Sequence, residues 1–93
     1  MNRLVLSARL IERGALRYTP AGLPALDFKL EHQSELSEEQ QVRNVSLQIN
    51  AVTFGALTHT LAALALGEPG TFAGFLSGTR GGRGLVFHVT SLA

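Results

Sequence analysis

Apolar and polar residues alternate almost from the first position. Leu4, Leu6, Ala8 and Leu10 fall on one side of an extended segment, and Val5, Ser7, Arg9 and Ile11 on the other. That period of two predicts a half-buried strand from Arg3 to Ile11. A second run, Leu26 to His32, alternates more cleanly: Leu26, Phe28 and Leu30 face in, while Asp27, Lys29 and Glu31 face out. Between the two lies Ala15 to Gly22, with a Pro20-Ala21-Gly22 corner. Proline presets φ and glycine supplies the positive φ that closes a turn, so a hairpin is expected there. Residues 33–41 are polar and acidic and read as an exposed loop. A third strand follows from Val42 to Val52. Val45, Leu47, Ile49 and Ala51 point to the core, and Asn44, Ser46, Gln48 and Asn50 form an uncharged polar outer face.

At Thr53 the period changes. Thr53 reads as an N-cap. Phe54, Leu57, Leu61 and Leu64 then recur at three and four residues, the stripe of an amphipathic helix, which Gly67 and Pro69 end. His59 lies off the stripe and is expected to be exposed. Gly70 to Ser77 forms a fourth strand carrying Phe72 and Phe75, and Gly74 within it signals a bulge or a close backbone approach. A glycine-rich loop spans 78–84. The fifth strand, Leu85 to Leu92, sets Leu85, Phe87 and Val89 against Val86, His88 and Thr90.

Three strands, a helix and two strands are the element order of an all-β OB-fold. This is a five-stranded Greek-key barrel with one helix between the third and fourth strands, a fold that binds single strands or oligosaccharides. The 93 residues make one domain, 1–93, whose core is built from Leu, Val and Ala because tryptophan is absent and aromatics are few. So small a barrel has modest stability unless a second subunit covers more of its surface. Cysteine is absent, which excludes disulfides, thiolate zinc sites and cysteine catalysis. Ser7 and Arg9 interrupt any apolar leader at the start, and no run approaches the ~18 apolar residues of a membrane span. The chain reads as soluble and cytoplasmic.

A net charge of +1 is too small to announce a nucleic-acid partner, but its distribution is informative. Seven of the eight cations are Arg, the better residue for phosphate forks and for stacking on rings. Arg17 and Tyr18 stand just before the first hairpin turn, a cation beside a ring that can hold a phosphate and stack a base. Tyr18 can equally pack its ring on the hairpin and expose only its hydroxyl. In the 78–84 loop, four glycines allow close backbone approach, and Arg80 and Arg83 supply two guanidinium groups. No Lys-Ser or Lys-Thr pair follows, so this is not a nucleotidase phosphate loop. The three histidines lack metal-ligand spacing, no nucleophile motif surrounds any serine, and Glu38-Glu39 lacks a calcium-loop pattern. No enzyme activity, metal or other cofactor is expected.

Asn2-Arg3-Leu4-Val5-Leu6-Ser7, Pro20-Ala21-Gly22-Leu23-Pro24 and Phe28-Lys29-Leu30-Glu31-His32-Gln33-Ser34 resemble the primosomal replication protein N family. Thr58-His59-Thr60 and Gly74-Phe75 fit the same family, and the likeness runs across nearly the whole chain. Arg17-Tyr18-Thr19-Pro20 with Gly22 is also similar to bacterial single-stranded DNA-binding protein. The resemblance implies an OB-fold homodimer that binds single-stranded DNA at stalled forks, contacts the primosomal helicase and other primosome proteins, and helps reload the replicative helicase. By residue, it assigns basic contacts to Arg17, Arg43, Arg80 and Arg83. Ser46 occupies a position that is tryptophan in the enterobacterial form, and Gln33 stands where that form has arginine. A lost stack and fewer phosphate contacts imply weaker, less salt-sensitive DNA binding than in those relatives. The competing reading is a protein-interaction adaptor that docks on the helicase with little free DNA binding.

Overall fold

The computed structural model describes residues 1–93. It contains β1 (Leu4–Arg13), β2 (Arg17–Tyr18), β3 (Pro24–Glu38), β4 (Gln41–Phe54), α1 (Leu57–Ala63), β5 (Pro69–Gly78) and β6 (Leu85–Leu92). β1 bends across the sheet, pairing with β5 through Leu4 to Arg9 and with β3 from Arg9 to Arg13. The ladder shifts between Leu10 and Glu12, a bulge that lets one strand serve two neighbours. β3 pairs with β4, β4 runs parallel to β6 at Ala51 and Val52, and β6 pairs back to β5. These pairings close a circuit of five strands. β2 is a two-residue ribbon on β3, outside the circuit. The OB-fold expectation therefore holds, with β2 as an addition that the Pro20 corner did not reveal.

The core is the barrel interior. Leu10, Leu30, Leu61, Phe72 and Phe87 are completely buried, and Leu26, Phe28, Ala51 and Val89 nearly so. Burying one such Leu or Phe side chain stabilises the fold by about 1.5–3 kcal/mol, so this one cluster carries most of the apolar driving force. α1 closes one end of the barrel by inserting Leu61, with Leu57 and Leu64 packed beside it. No helix is long and apolar enough to cross a membrane.

The segment 33–41, expected to be a loop, is paired backbone. β3 and β4 remain in register from Ala25↔Phe54 to Glu38↔Gln41, leaving only Glu39 and Gln40 in the turn. Both turn residues have positive φ, 49° and 63°, the two-residue primed turn whose twist matches a hairpin. Polar composition misleads here because this part of the hairpin projects past the barrel and has no core to face. β1 reaches only as far as Glu31, and β6 forms ladder pairs with β4 only at Ala51 and Val52. For the same reason Leu47 stays exposed and Val45 stays outside the core, although both lie on the inward-pointing side of β4. A 15-residue strand spans about 50 Å, and the molecule's longest dimension is 50 Å, so this hairpin sets its length.

The helix is also shorter than its stripe. Thr53 and Phe54 belong to β4, opposite Leu26 and Ala25. Thr53 caps nothing. Its buried hydroxyl donates to the Val89 carbonyl at 2.9 Å and ties β4 to β6. Gly55, at φ 81°, ends the strand and donates to the Pro24 carbonyl at 2.9 Å, so α1 starts only at Leu57.

Gly74 meets its expectation fully. The β5–β6 ladder shifts between Ala73 and Gly74, and a Cβ at Gly74 would overlap the His88 carbonyl. Gly74→Ala is expected to lower stability by about 1–3 kcal/mol in thermal or denaturant melts, because the two strands must part to admit the methyl group. A midpoint unchanged from the parent would contradict that account. The turn gives a second expectation. The double substitution Glu39→Asn with Gln40→Gly suits positive φ at both positions. Amides of 33–38 and 41–46 should then exchange more slowly with deuterium while barrel amides stay unchanged.

Candidate nucleic-acid interface

Residues directly opposite in neighbouring strands point to the same face, and the register therefore maps the barrel's outer surface. Across β3 and β4 that surface carries Asp27 with Val52, Lys29 with Asn50, Glu31 with Gln48, Gln33 with Ser46 and Glu35 with Asn44. Asn44, Ser46, Gln48 and Asn50 are all exposed, as their alternation predicts. The row continues over β6 and β5: Val52 opposes His88, and His88 opposes Phe75.

The expected site residues divide between the two ends of this face. Arg17 pairs with Ala25 at the start of β3, whereas Ser46 pairs with Gln33 eight residues further on, about 26 Å along the strand. Arg43 lies further out on the projecting arm, opposite Leu36 and so on the reverse side of the hairpin from Ser46. Arg80 and Arg83 lie toward the Ser46 end rather than the Arg17 end. β6 runs parallel to β4 with Phe87 level with Ala51, so the loop preceding Leu85 emerges toward the arm. That loop is a compact turn, held by Gly82 N–H to the Thr79 carbonyl at 2.8 Å and Thr79 N–H to the Gly84 carbonyl at 3.0 Å. Positive φ at Gly81 and Gly82 explains two of its glycines.

Most of the cations are already engaged. Arg17 donates twice to the Asp27 carboxylate, Nε to Oδ2 at 2.8 Å and Nη2 to Oδ1 at 3.1 Å. That hydrogen bonding, and then the Asp27 charge, holds the Arg17 guanidinium above its ordinary pKa. Arg43 lies 3.2 Å from Glu38, Arg9 2.7 Å from Glu31 and Lys29 3.6 Å from Glu12. Arg13 turns inward and donates to the Leu61 and Leu64 carbonyls at the C-terminal end of α1. Only Arg3, Arg80 and Arg83 have neither an acidic partner nor a side-chain hydrogen bond. Tyr18 is 65% exposed, so its ring is not packed on the hairpin.

Two arrangements escape the sequence pattern. His32 is a structural residue: its Nδ1–H donates to the Ser7 carbonyl at 2.6 Å and its Nε2 lies 2.8 Å from the Ser34 hydroxyl. On the outer wall, His88 stacks on Phe75 with centroids 4.7 Å apart and planes at 12°, and Phe54 stacks more loosely on His88 at 6.0 Å and 27°. Periodicity places Phe54 on the helix stripe instead, and no aromatic residue stands within the same face of the strand that carries His88. No three His, Asp or Glu side chains converge as metal ligands would.

Residues 2–91 match the family model described as "Another single-strand binding protein family". Replication restart protein PriB of Bordetella pertussis is 50% identical over 80 residues, covering 86% of this chain and 75% of that protein. The chain belongs to the PriB family. A crystal structure of PriB from Ralstonia solanacearum superimposes with a TM-score of 0.92 at 36% identity, covering 100% of this chain and 96% of that one. The single-stranded DNA-binding domain from Synechococcus shares the fold with a TM-score of 0.75 at 19% identity. The PriB barrel thus extends over the whole chain described here, the projecting arm and the 78–84 loop included.

Arg13 is a structural arginine in this PriB-family member. Arg13→Met removes the charged donor from the helix carbonyls and should cost about 1.5–3 kcal/mol of stability in denaturant titration. Equal stability of the variant and the parent would mean that water replaces the guanidinium without loss.

Proposed function

We propose that this protein binds single-stranded DNA without sequence preference as an accessory factor of the replication-restart primosome. It acts as a cytoplasmic homodimer that stimulates the primosomal helicase and has no catalytic step of its own. PriB-family membership supports the setting in replication restart. The observation that carries the DNA contact is the pair of unpartnered arginines, Arg80 and Arg83, at one end of the uncharged β4 row of Asn44, Ser46, Gln48 and Asn50. Guanidinium groups neutralise phosphates, and the polar side chains offer hydrogen bonds to any base. Arg17 and Arg43 add reserve charge, because an exposed ion pair is worth only about 0–1 kcal/mol and a phosphate can displace the carboxylate. Tyr18 offers a stacking ring at the far end.

A second reading, the helicase-docking adaptor, is favoured by the same census of cations. With Arg9, Arg17, Lys29 and Arg43 each facing a carboxylate, little free charge remains for DNA.

Anisotropy of a labelled thymidine oligomer of about 30 nucleotides, titrated at about 50 and about 200 mM salt, tests the proposal. Two free arginines per subunit predict a logarithmic salt slope of about −1.4 for each subunit that the strand contacts, at 0.7 per phosphate contact on single strands. Arg80→Glu with Arg83→Glu should abolish most of that slope and the affinity with it. Asp27→Asn releases Arg17, so binding should tighten and the slope steepen by about 0.7. If the parent protein does not bind at tens of micromolar yet still stimulates the helicase, the adaptor reading replaces this one.

A further inference from the structure

We infer that the ring stack built on Phe75 and His88 is a base-stacking platform for single-stranded DNA, an inference that rests on the DNA-binding reading above. Its components come from two adjacent strands, β5 and β6, and their near-parallel rings stack with centroids 4.7 Å apart. Phe54 extends it on the other side of His88. Apolar rings on the outside of a barrel normally lose burial for no return, yet Phe75 is 39% and Phe54 42% exposed. The area that His88 covers is not exposed area, so each Phe still offers surface that a base can occupy. Unpaired bases stack on such rings whatever their identity.

Position selects the occupant. His88 is level with Val52 in the register, and Val52 with Asp27, the carboxylate that holds Arg17. Further along the same outer face, toward the arm, come Lys29 and Asn50. The rings therefore continue the polar outer face sideways, with the ion-paired Lys29 ammonium on β3 and the Arg17 guanidinium on β2, two and three strands across from His88. An aromatic surface with cations further across the same face suits a strand whose bases and phosphates alternate. A strand lying there also reaches the face on which Ser46 offers no ring.

Gly74 contributes to the geometry. The β5–β6 shift occurs immediately before Phe75, and the absent Cβ lets β5 approach the His88 carbonyl closely. Phe75 then stands opposite His88 in the ladder, where the two rings stack.

Because the chain has no tryptophan, Phe75→Trp installs a single indole reporter. Titrated with the thymidine oligomer, its fluorescence should be quenched along the same isotherm as the anisotropy. In parallel, Phe75→Leu keeps the apolar cover over the barrel wall but removes the ring. It should weaken binding by about 5- to 150-fold, the range for one lost stack, with the salt slope unchanged because no charge is lost. An anisotropy rise without indole quenching, or a folded Phe75→Leu variant that binds like the parent, overturns the platform and leaves DNA binding intact. If the parent itself does not bind the oligomer, the DNA-binding reading fails and the platform falls with it. Should Phe75→Leu melt below the assay temperature, the indole titration decides alone.

Discussion

Everything in this molecule depends on the register of one hairpin. β3 and β4 stay paired from Ala25↔Phe54 to Glu38↔Gln41. Side chains alternate with a period of two, so a slip of a single residue would turn Leu26, Phe28 and Leu30 out of the barrel. The same slip would turn Asp27, Lys29 and Glu31 inward, burying charges without partners. The turn at Glu39 and Gln40 holds the register at one end, and the Thr53 hydroxyl, bonded to the Val89 carbonyl, holds it at the other. Once it is set, the core, the polar face and the positions of all three neighbouring strands follow.

The barrel is largely legible in the sequence, because each of its strands has one apolar face and apolar faces leave a periodic trace. Leu26, Phe28 and Leu30 are buried where their alternation places them, as are Phe87 and Val89. The departures share one physical cause: periodicity reports burial, not hydrogen bonding. Gln33 to Glu38 are paired without forming a buried face, so they resemble a loop. Phe54 and Thr53 are β4 residues whose spacing happens to continue into the stripe of Leu57 and Leu61, so they resemble a helix. The two-residue β2 is too short to leave any trace.

Of the candidate interface, the residue types are legible and their states are not. Arg80 and Arg83 stand free in their loop, as a glycine-arginine sequence suggests. Arg17 and Arg43 have the same chemistry, yet each meets a carboxylate that lies far enough away in sequence, or around a turn, to hide the pairing. The stack of Phe54, His88 and Phe75 is invisible because its members come from three strands brought side by side only by the closure of the barrel. Such constellations are products of topology, and no local pattern can announce them.

The projecting arm carries a consequence of another kind. Its backbone bonds are made within the hairpin, and its side chains contribute almost nothing to the core. Substitutions from Gln33 to Asn44 should therefore be nearly neutral for folding, provided that the turn keeps its shape. Selection can then act on the arm's charge and polarity independently of the barrel. The architecture thus separates the segment that can vary freely from the barrel that supports it.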